Sequence, residues 1–131
     1  MPLPITAIFA GLLALWIIFL LIKVVGFRRG KQVSLGTAGD DEGERLVRGH
    51  ANATENIPIF LILLGLAEGL GTPGWVLWIV GGMFLAGRVL HGMHFVQGRK
   101  DFNWRRWGMQ LTLLAIALTA LGAIGHGVAS L

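Results

Sequence analysis

The first apolar stretch of the sequence, residues 3–25, carries only one charged side chain, near its end. A helix of about 20 apolar residues spans the hydrocarbon core of a bilayer, so this stretch is long enough to cross unaided. Three more apolar stretches follow, at residues 57–70, 75–90 and 108–124. The last stretch, residues 108–124, is also long enough to cross a bilayer alone. The second reaches that length only if its helix starts near Glu44 or Arg45, and the third if it continues past Arg88 toward Phe95.

The composition favours a membrane protein over a water-soluble one. Hydrophobic residues make up 54% of the 131 residues before the 20 glycines are counted, whereas soluble domains reach only about 45–50% with glycine included. The alternation of apolar and polar residues that marks strands is absent, and helices satisfy the backbone in lipid. We therefore predict an all-α integral membrane protein, a four-transmembrane-helix bundle, with residues 1–131 in one domain. The sequence has no cysteine and so no thiol of its own.

The connections between the stretches predict the topology. They are polar loops at residues 26–43 and 97–105 and a tight hairpin turn at residues 71–74. All 11 Lys and Arg residues lie between Lys23 and Arg106, in or beside the two polar loops. The positive-inside rule then places loops 26–45 and 97–105 in the cytoplasm and both termini on the opposite side of the membrane. We expect this to be a bacterial inner membrane, because the chain is short and shows no transit signal. The net charge of +4 indicates this topology and contact with membrane lipids rather than nucleic acid.

Polar side chains enter the second helix along one stripe. At about 100° per residue they fall within one sector of the helix; they are Arg45, Arg48, Asn52, Glu55 and Asn56. Charged residues in a membrane segment mark a functional site by default, and this mixture of cations, amides and a carboxylate suits a zwitterionic ligand. The alternative is that Arg45, Arg48 and Glu55 pair with each other or extend to lipid headgroups. His50 points away from the stripe, and Glu68, near the far end of the helix, is expected to be solvated.

The third and fourth helices are expected to supply the rest of the site. Arg88, His91 and Phe95 share one face of the third helix, and Asn103, Arg106 and Gln110 share one face of the fourth. Imidazole and carboxylate groups are zinc ligands, but the spacing of His91 and His94 is not diagnostic and the nearby arginines would repel a cation. We therefore expect no metal. The sequence also lacks a phosphate-binding glycine loop, a nucleophilic serine motif and a dinucleotide-binding motif.

Three segments resemble the MAPEG family, the membrane-associated proteins in eicosanoid and glutathione metabolism. They are ERLVRGHANATENIP at residues 44–58, GRVLHG at 87–92 and WRRWGM at 104–109. With the four-helix layout, the resemblance covers nearly the whole chain. It implies a homotrimer of four-helix subunits that binds glutathione, as co-substrate, between neighbouring subunits near the cytoplasmic face.

The resemblance also implies roles for individual residues. Arg48, Asn52 and Glu55 would hold the tripeptide, and His50 would reach the ligand of the adjacent subunit. Arg105 or Arg106 would stabilise the glutathione thiolate. The remaining members of the predicted binding set are Arg28 and Arg29 at the end of the first helix, Arg45 and Asn56 in the stripe, and Arg88 and His91 on the third helix. Eukaryotic members often place tyrosines in the site, whereas this chain has no tyrosine, and Asn56 and His91 occupy the corresponding neighbourhoods.

The predicted function is that of a membrane-bound glutathione transferase-like protein, which delivers the thiolate to a lipophilic electrophile or hydroperoxide. One alternative is a catalytically silent scaffold of the same fold. The other is a small four-span transporter of cationic drugs that uses Glu55 as its proton-exchanging carboxylate, although the surrounding arginines disfavour a cation.

Overall fold

The computed structural model describes residues 1–131 and consists of four α-helices in chain order. Their bounds are Pro4–Lys31 for α1, Asp41–Gly69 for α2, Gly74–Gln97 for α3 and Asn103–Ala129 for α4. The helices alternate in direction. One end of the bundle therefore carries the basic connections, and we call it the arginine end; the other carries the 70–73 turn, and we call it the turn end.

The all-helical prediction is confirmed, and three of the four helices suit a membrane. By length and composition, α1, α3 and α4 can each cross a bilayer, whereas α2 is not among the helices that meet this criterion. Only 27 of the 131 residues are buried, and many apolar side chains on α1 and α4 face outward, as expected for surfaces in contact with lipid. Helix α2 fails this criterion because its first half carries charged residues.

The interior is a narrow seam of aliphatic and aromatic side chains shared by all four helices. Phe9 and Leu13 of α1, Phe60 of α2 and Phe84 of α3 lie in it, each no more than 3% exposed. The Phe60 and Phe84 rings stack with their centroids 3.9 Å apart. A smaller cluster of Val24, Phe27 and Leu46 joins α1 to α2 near the arginine end.

Both predicted bounds of the first loop, residues 26–43, are wrong. Helix α1 continues through Gly26 to Lys31, and Gln32 ends it in the left-handed conformation with φ of 56°. Glycine weakens a helix interior by about 1 kcal/mol, and the packing of Phe27 against Leu46 offsets that cost. The connection is therefore only residues 32–40.

Helix α2 begins earlier than predicted, because Asp40 caps it. The Asp40 carboxylate accepts hydrogen bonds from the backbone N–H groups of Glu42, at 2.9 Å, and Gly43, at 3.2 Å. These bonds, that from Gly43 foremost, hold the pKa of Asp40 below its usual range. The helix thus starts at Asp41 rather than near Glu44 or Arg45. At the other loop, α4 begins at Asn103, so the predicted loop 97–105 shortens to residues 98–102.

The expectation that Glu68 is solvated is wrong. Its carboxylate accepts hydrogen bonds from the backbone N–H groups of Ile5 at 2.9 Å and Thr6 at 2.8 Å, and from the Thr6 hydroxyl at 2.7 Å. The first N–H groups of a helix lack partners within it. Glu68 of α2 therefore caps α1, whose own N-cap, Leu3, makes no side-chain capping bond.

The backbones of α3 and α4 are in direct contact at Gly108. A Cβ atom at Gly108 would lie 2.6 Å from the His91 nitrogen and 2.7 Å from the Gly87 carbonyl oxygen. Glycine alone permits this approach, which small residues make possible between membrane helices. The contact fixes α4 against the His91 turn of α3.

We expect Gly108→Ala to force α3 and α4 apart, since the atoms in the way are backbone. Overpacking of this kind costs about 1–3 kcal/mol, measurable as a lower Tm in detergent. Gly122→Ala is the matched control on the same helix, because nothing lies within 4 Å of its Cβ position. Equal Tm values for the two variants would contradict the proposed backbone contact.

Replacement of Glu68 by Ala removes the cap of α1 and is expected to cost about 1 kcal/mol, the usual value of a capping side chain. Thermal unfolding in detergent measures the loss. Glu42→Ala is the control, because the Glu42 side chain is exposed and makes no hydrogen bond. If both variants unfold at the same temperature as the parent protein, Glu68 does not act as the cap.

Candidate functional site

A cavity of about 530 Å³ opens at the arginine end between α2, α3 and α4. We call it the arginine cavity. Its lining comprises Arg48 and Asn52 from α2, His91 and Phe95 from α3, Phe102 from the connection, and Arg105, Arg106, Met109 and Gln110 from α4. Three helices and one connection thus bring together residues that are up to 62 positions apart in the chain.

The charge of the arginine cavity has no counter-charge among its lining residues. Arg48, Arg105 and Arg106 are exposed and form no ion pair. The lining contains no Asp or Glu. The Arg105 guanidinium lies 5.4 Å from the centre of the Phe95 ring, a cation–π distance that holds it beside the cavity. The arrangement therefore favours a ligand that carries negative charge.

Behind the cavity, Arg88 is buried in the bundle, 1% exposed. Its Nε donates to the Thr112 hydroxyl at 2.9 Å, and its Nη1 donates to the Asn52 side-chain oxygen at 2.5 Å. Thr112 in turn donates to the Gly108 carbonyl oxygen at 2.8 Å. No carboxylate accepts from this guanidinium, and its Nη2 has no partner. Arg88 therefore links α2, α3 and α4 through neutral oxygens.

This link sets the hydrogen-bonding character of Asn52. A carboxamide has one oxygen that accepts and one NH₂ that donates. The Asn52 oxygen is engaged by Arg88 and lies 3.4 Å from the Asn56 amide nitrogen. The group that Asn52 has left for a ligand is its NH₂, a donor, which matches the donors of the surrounding arginines.

His91 contributes an imidazole to the wall of the arginine cavity. The side chain is 3% exposed, and its ring lies 5.1 Å from the Phe95 ring. Neither ring nitrogen hydrogen-bonds to another group of the chain. His94, three residues later, packs instead against Phe95 and Phe102. No group of three or more His, Cys, Asp or Glu side chains that could hold a metal lies anywhere in the chain.

Of the residues predicted to form the site, seven line the arginine cavity: Arg48, Asn52, His91, Phe95, Arg105, Arg106 and Gln110. Arg88 supports Asn52 from behind. Two other members of the α2 stripe are engaged in backbone contacts. Arg45 donates through Nη1 to the Phe95 carbonyl oxygen at 2.7 Å, near the end of α3, and Asn56 donates to the Asn52 carbonyl oxygen at 2.8 Å.

The remaining predicted residues, among them Asn103 at the start of α4, do not line the cavity in this single chain. Glu55 is exposed and makes neither a hydrogen bond nor an ion pair. His50 is half-buried on another side of α2. Arg28 and Arg29 line a separate depression at the end of α1, where Arg28 donates to the Gly36 carbonyl oxygen at 3.2 Å.

Sequence reasoning did not place Phe102 and Met109 in the site. Met109 lies four residues after Arg105 on α4, and side chains four apart share a helix face, so the proposed role of Arg105 already indicated it. Phe102 lies in the connection just before α4, where helical spacing gives no such indication.

Comparison with known proteins bears on the family of the chain. The model of the MAPEG family matches residues 6–125. Two curated relatives, each named Inner membrane protein YecN, come from Escherichia coli strain K12 and from Escherichia coli O6:H1 strain CFT073. Each is 36% identical over 124 residues, covering 93% of this chain and 92% of the relative. A family match over nearly the whole length, with three membrane-capable helices, shows that the chain is a membrane protein and belongs to the MAPEG family.

Proposed function

We propose that this protein is a membrane-bound glutathione transferase-type enzyme that binds glutathione in the arginine cavity and transfers its sulfur to a lipophilic electrophile. The observation that carries the proposal is the lining of the cavity, which has three arginines, a donor amide and an imidazole but no acidic residue. Membership of the MAPEG family supports glutathione as the ligand.

The chemistry of glutathione matches the polar groups of the cavity. The tripeptide carries two carboxylates, one ammonium group and one thiol. Arg48 and Asn52 stand on the α2 wall and Arg105 and Arg106 on the α4 wall, so each wall has donors for one anionic group. Glu55 lies three residues beyond Asn52 on α2, about 4.5 Å farther along the helix axis. Glu55 does not line the cavity of the single chain, and we assign it the ammonium group of a glutathione that extends beyond the cavity in the assembled protein.

Arg105 or Arg106 would activate the sulfur by stabilising its thiolate. A free thiol titrates near about 8.5, and lowering its pKa by two units corresponds to about 2.7 kcal/mol. A guanidinium close to the sulfur in a partly dry site supplies an effect of this size. The thiolate forms a carbon–sulfur bond with the electrophile as the leaving group departs, and the thiol proton passes to solvent. Reduction of a lipid hydroperoxide is the alternative use of the same thiolate.

The proposed assembly is a homotrimer of single-domain subunits in which α2 serves as the fourth membrane span. The exposure of Arg48, Glu55 and Arg106 in the single chain supports it, because charged side chains at membrane depth face a partner or a water-filled cavity. In this arrangement His50, Arg28 and Arg29 would approach the ligand of a neighbouring subunit.

We further propose that the arginine end faces the cytoplasm and that both termini lie on the opposite side of an inner membrane. All 11 Lys and Arg residues lie between Lys23 and Arg106, in and near the two connections at that end. Both relatives are named as inner membrane proteins. Nothing in the cavity favours the transporter, since the lining lacks the carboxylate that proton-coupled exchange requires.

Titration of the purified, detergent-solubilised protein with glutathione tests the proposal, with thiolate absorbance in the ultraviolet as the signal. We expect a saturable signal from the parent protein. Loss of a charge-assisted hydrogen bond in Arg48→Ala is expected to weaken binding about tenfold or more. Of Arg105→Ala and Arg106→Ala, made separately, the one that removes the activating group is expected to abolish the thiolate signal.

Two controls make this titration decisive. S-methylglutathione has no thiol and should bind without producing the signal. Arg99→Ala removes an arginine that pairs with Asp101, at 3.5 Å, and does not line the cavity, so it should leave binding unchanged. A folded parent protein that gives no binding and no signal would overturn the proposal and favour the silent scaffold.

Arg88→Lys tests whether Arg88 positions Asn52 for the ligand. An ammonium group cannot reach both the Thr112 hydroxyl and the Asn52 oxygen as the guanidinium does. We expect glutathione binding to weaken about fivefold, the value of one hydrogen bond, with the thiolate signal at saturation retained. Thr119→Val on the same helix is the control, since the Thr119 hydroxyl donates only to the Ala115 carbonyl oxygen and does not line the arginine cavity. Binding as tight as that of the parent protein would contradict the role.

A further inference from the structure

A second cavity, of about 360 Å³, lies at the turn end between the first half of α3 and the last half of α4. We call it the α3–α4 groove. Its walls are mainly aliphatic and include Val76, Val80 and Leu118. Gly122 leaves it open on the α4 side, because nothing lies within 4 Å of its Cβ position. A mainly apolar recess with a few polar groups is the usual form of a small-ligand site.

Two polar side chains lie at the outer end of the groove, whereas Thr119 lies deeper and its hydroxyl donates to the Ala115 carbonyl oxygen at 2.7 Å. Thr72 stands in the 70–73 turn and His126 in the last turn of α4, and both line the groove. The Thr72 hydroxyl oxygen is buried and has no hydrogen-bond partner. The His126 side chain also makes no hydrogen bond within the chain. Because buried polar atoms in native proteins are almost always hydrogen-bonded, the Thr72 hydroxyl indicates a missing partner.

The length of the groove matches one leaflet of a bilayer. Along α4 it runs from Leu118 to His126, which is about 12 Å at the rise of an α-helix. Half of a hydrocarbon core of about 30 Å is about 15 Å. With Thr72 and His126 near the ends of membrane-capable helices, the polar end of the groove lies at headgroup level and the apolar end near the middle of the bilayer.

The absence of basic residues indicates which chemical group of a lipid contacts the polar end of the groove. All Lys and Arg residues lie between Lys23 and Arg106, and the clustered ones are at the arginine end. The lining of the groove contains no Lys or Arg. A hydroxyl and an imidazole without a nearby cation suit a neutral acceptor such as a carbonyl oxygen better than an anionic group.

We propose that the α3–α4 groove binds one acyl chain of a bilayer phospholipid, whose ester carbonyl oxygen accepts a hydrogen bond from the Thr72 hydroxyl. The chain lies along Val76, Val80 and Leu118 toward the middle of the membrane. This site is at the opposite end of the bundle from the arginine cavity and does not depend on glutathione.

Native mass spectrometry of the 131-residue protein, titrated in detergent with dioleoylphosphatidylethanolamine, tests the proposal. Gly122→Leu fills the groove and is expected to weaken retention of the lipid about tenfold or more. Gly125→Leu is the matched control, since Gly125 is exposed, has equally open space at its Cβ position and does not line the groove. Equal retention by both variants and the parent protein would overturn the proposal.

The carbonyl contact has its own test, which stands even if Gly122→Leu fails to fold. Thr72→Val removes the hydroxyl and keeps the backbone bond from Thr72 to the Ala67 carbonyl oxygen. We expect this variant to bind the ester lipid about fivefold more weakly and to bind the diether analogue as the parent protein does. A loss of affinity for both lipids alike, or for neither, would overturn the carbonyl contact. A lipid-free groove closed by a second copy of the chain would overturn the site itself.

Discussion

The backbone contact between α3 and α4 is the constraint on which the arginine cavity depends. Gly108 lies against the His91 turn so closely that a Cβ atom there would be 2.6 Å from the His91 nitrogen. One turn along α4, Thr112 hydrogen-bonds both the Gly108 carbonyl oxygen and Arg88. Arg88 then reaches α2 through Asn52. The positions of three helices around the cavity thus follow from one close approach and one buried guanidinium.

The presence of the helices followed from apolar runs in the sequence, but their ends did not. Apolar length indicates where a chain can cross a membrane, whereas helix ends depend on capping and on packing between helices. Phe27 packs against Leu46 and carries α1 beyond Gly26. Asp40 starts α2 through local hydrogen bonds that an Asp at this position could have indicated. Glu68 caps a helix 62 residues away, and no local pattern contains that information.

For the candidate site, the sequence indicated the end of the bundle at which the arginine cavity lies, but only part of its lining. Helical periodicity gives the direction of a side chain and not the neighbour that it meets. Arg48 and Asn52 therefore reach the cavity, while Arg45, from the same stripe, binds the carbonyl oxygen of Phe95 near the end of α3. Glu55 lies toward the edge of the stripe, and no other helix of this chain covers it. The sequence of one chain does not determine which groups contact its outward-facing residues.

The close approach of α3 and α4 also has an evolutionary consequence. A side chain larger than hydrogen at Gly87 or Gly108 would meet backbone atoms of the other helix, together with the Thr112 hydroxyl in the case of Gly87. Neither position can change gradually, because the first added methyl group already requires the helices to separate. Separation would in turn break the bonds from Arg88 to Thr112 and Asn52. We therefore expect these positions to vary together among relatives, and a lineage that loses both glycines to have rebuilt the arginine cavity as well.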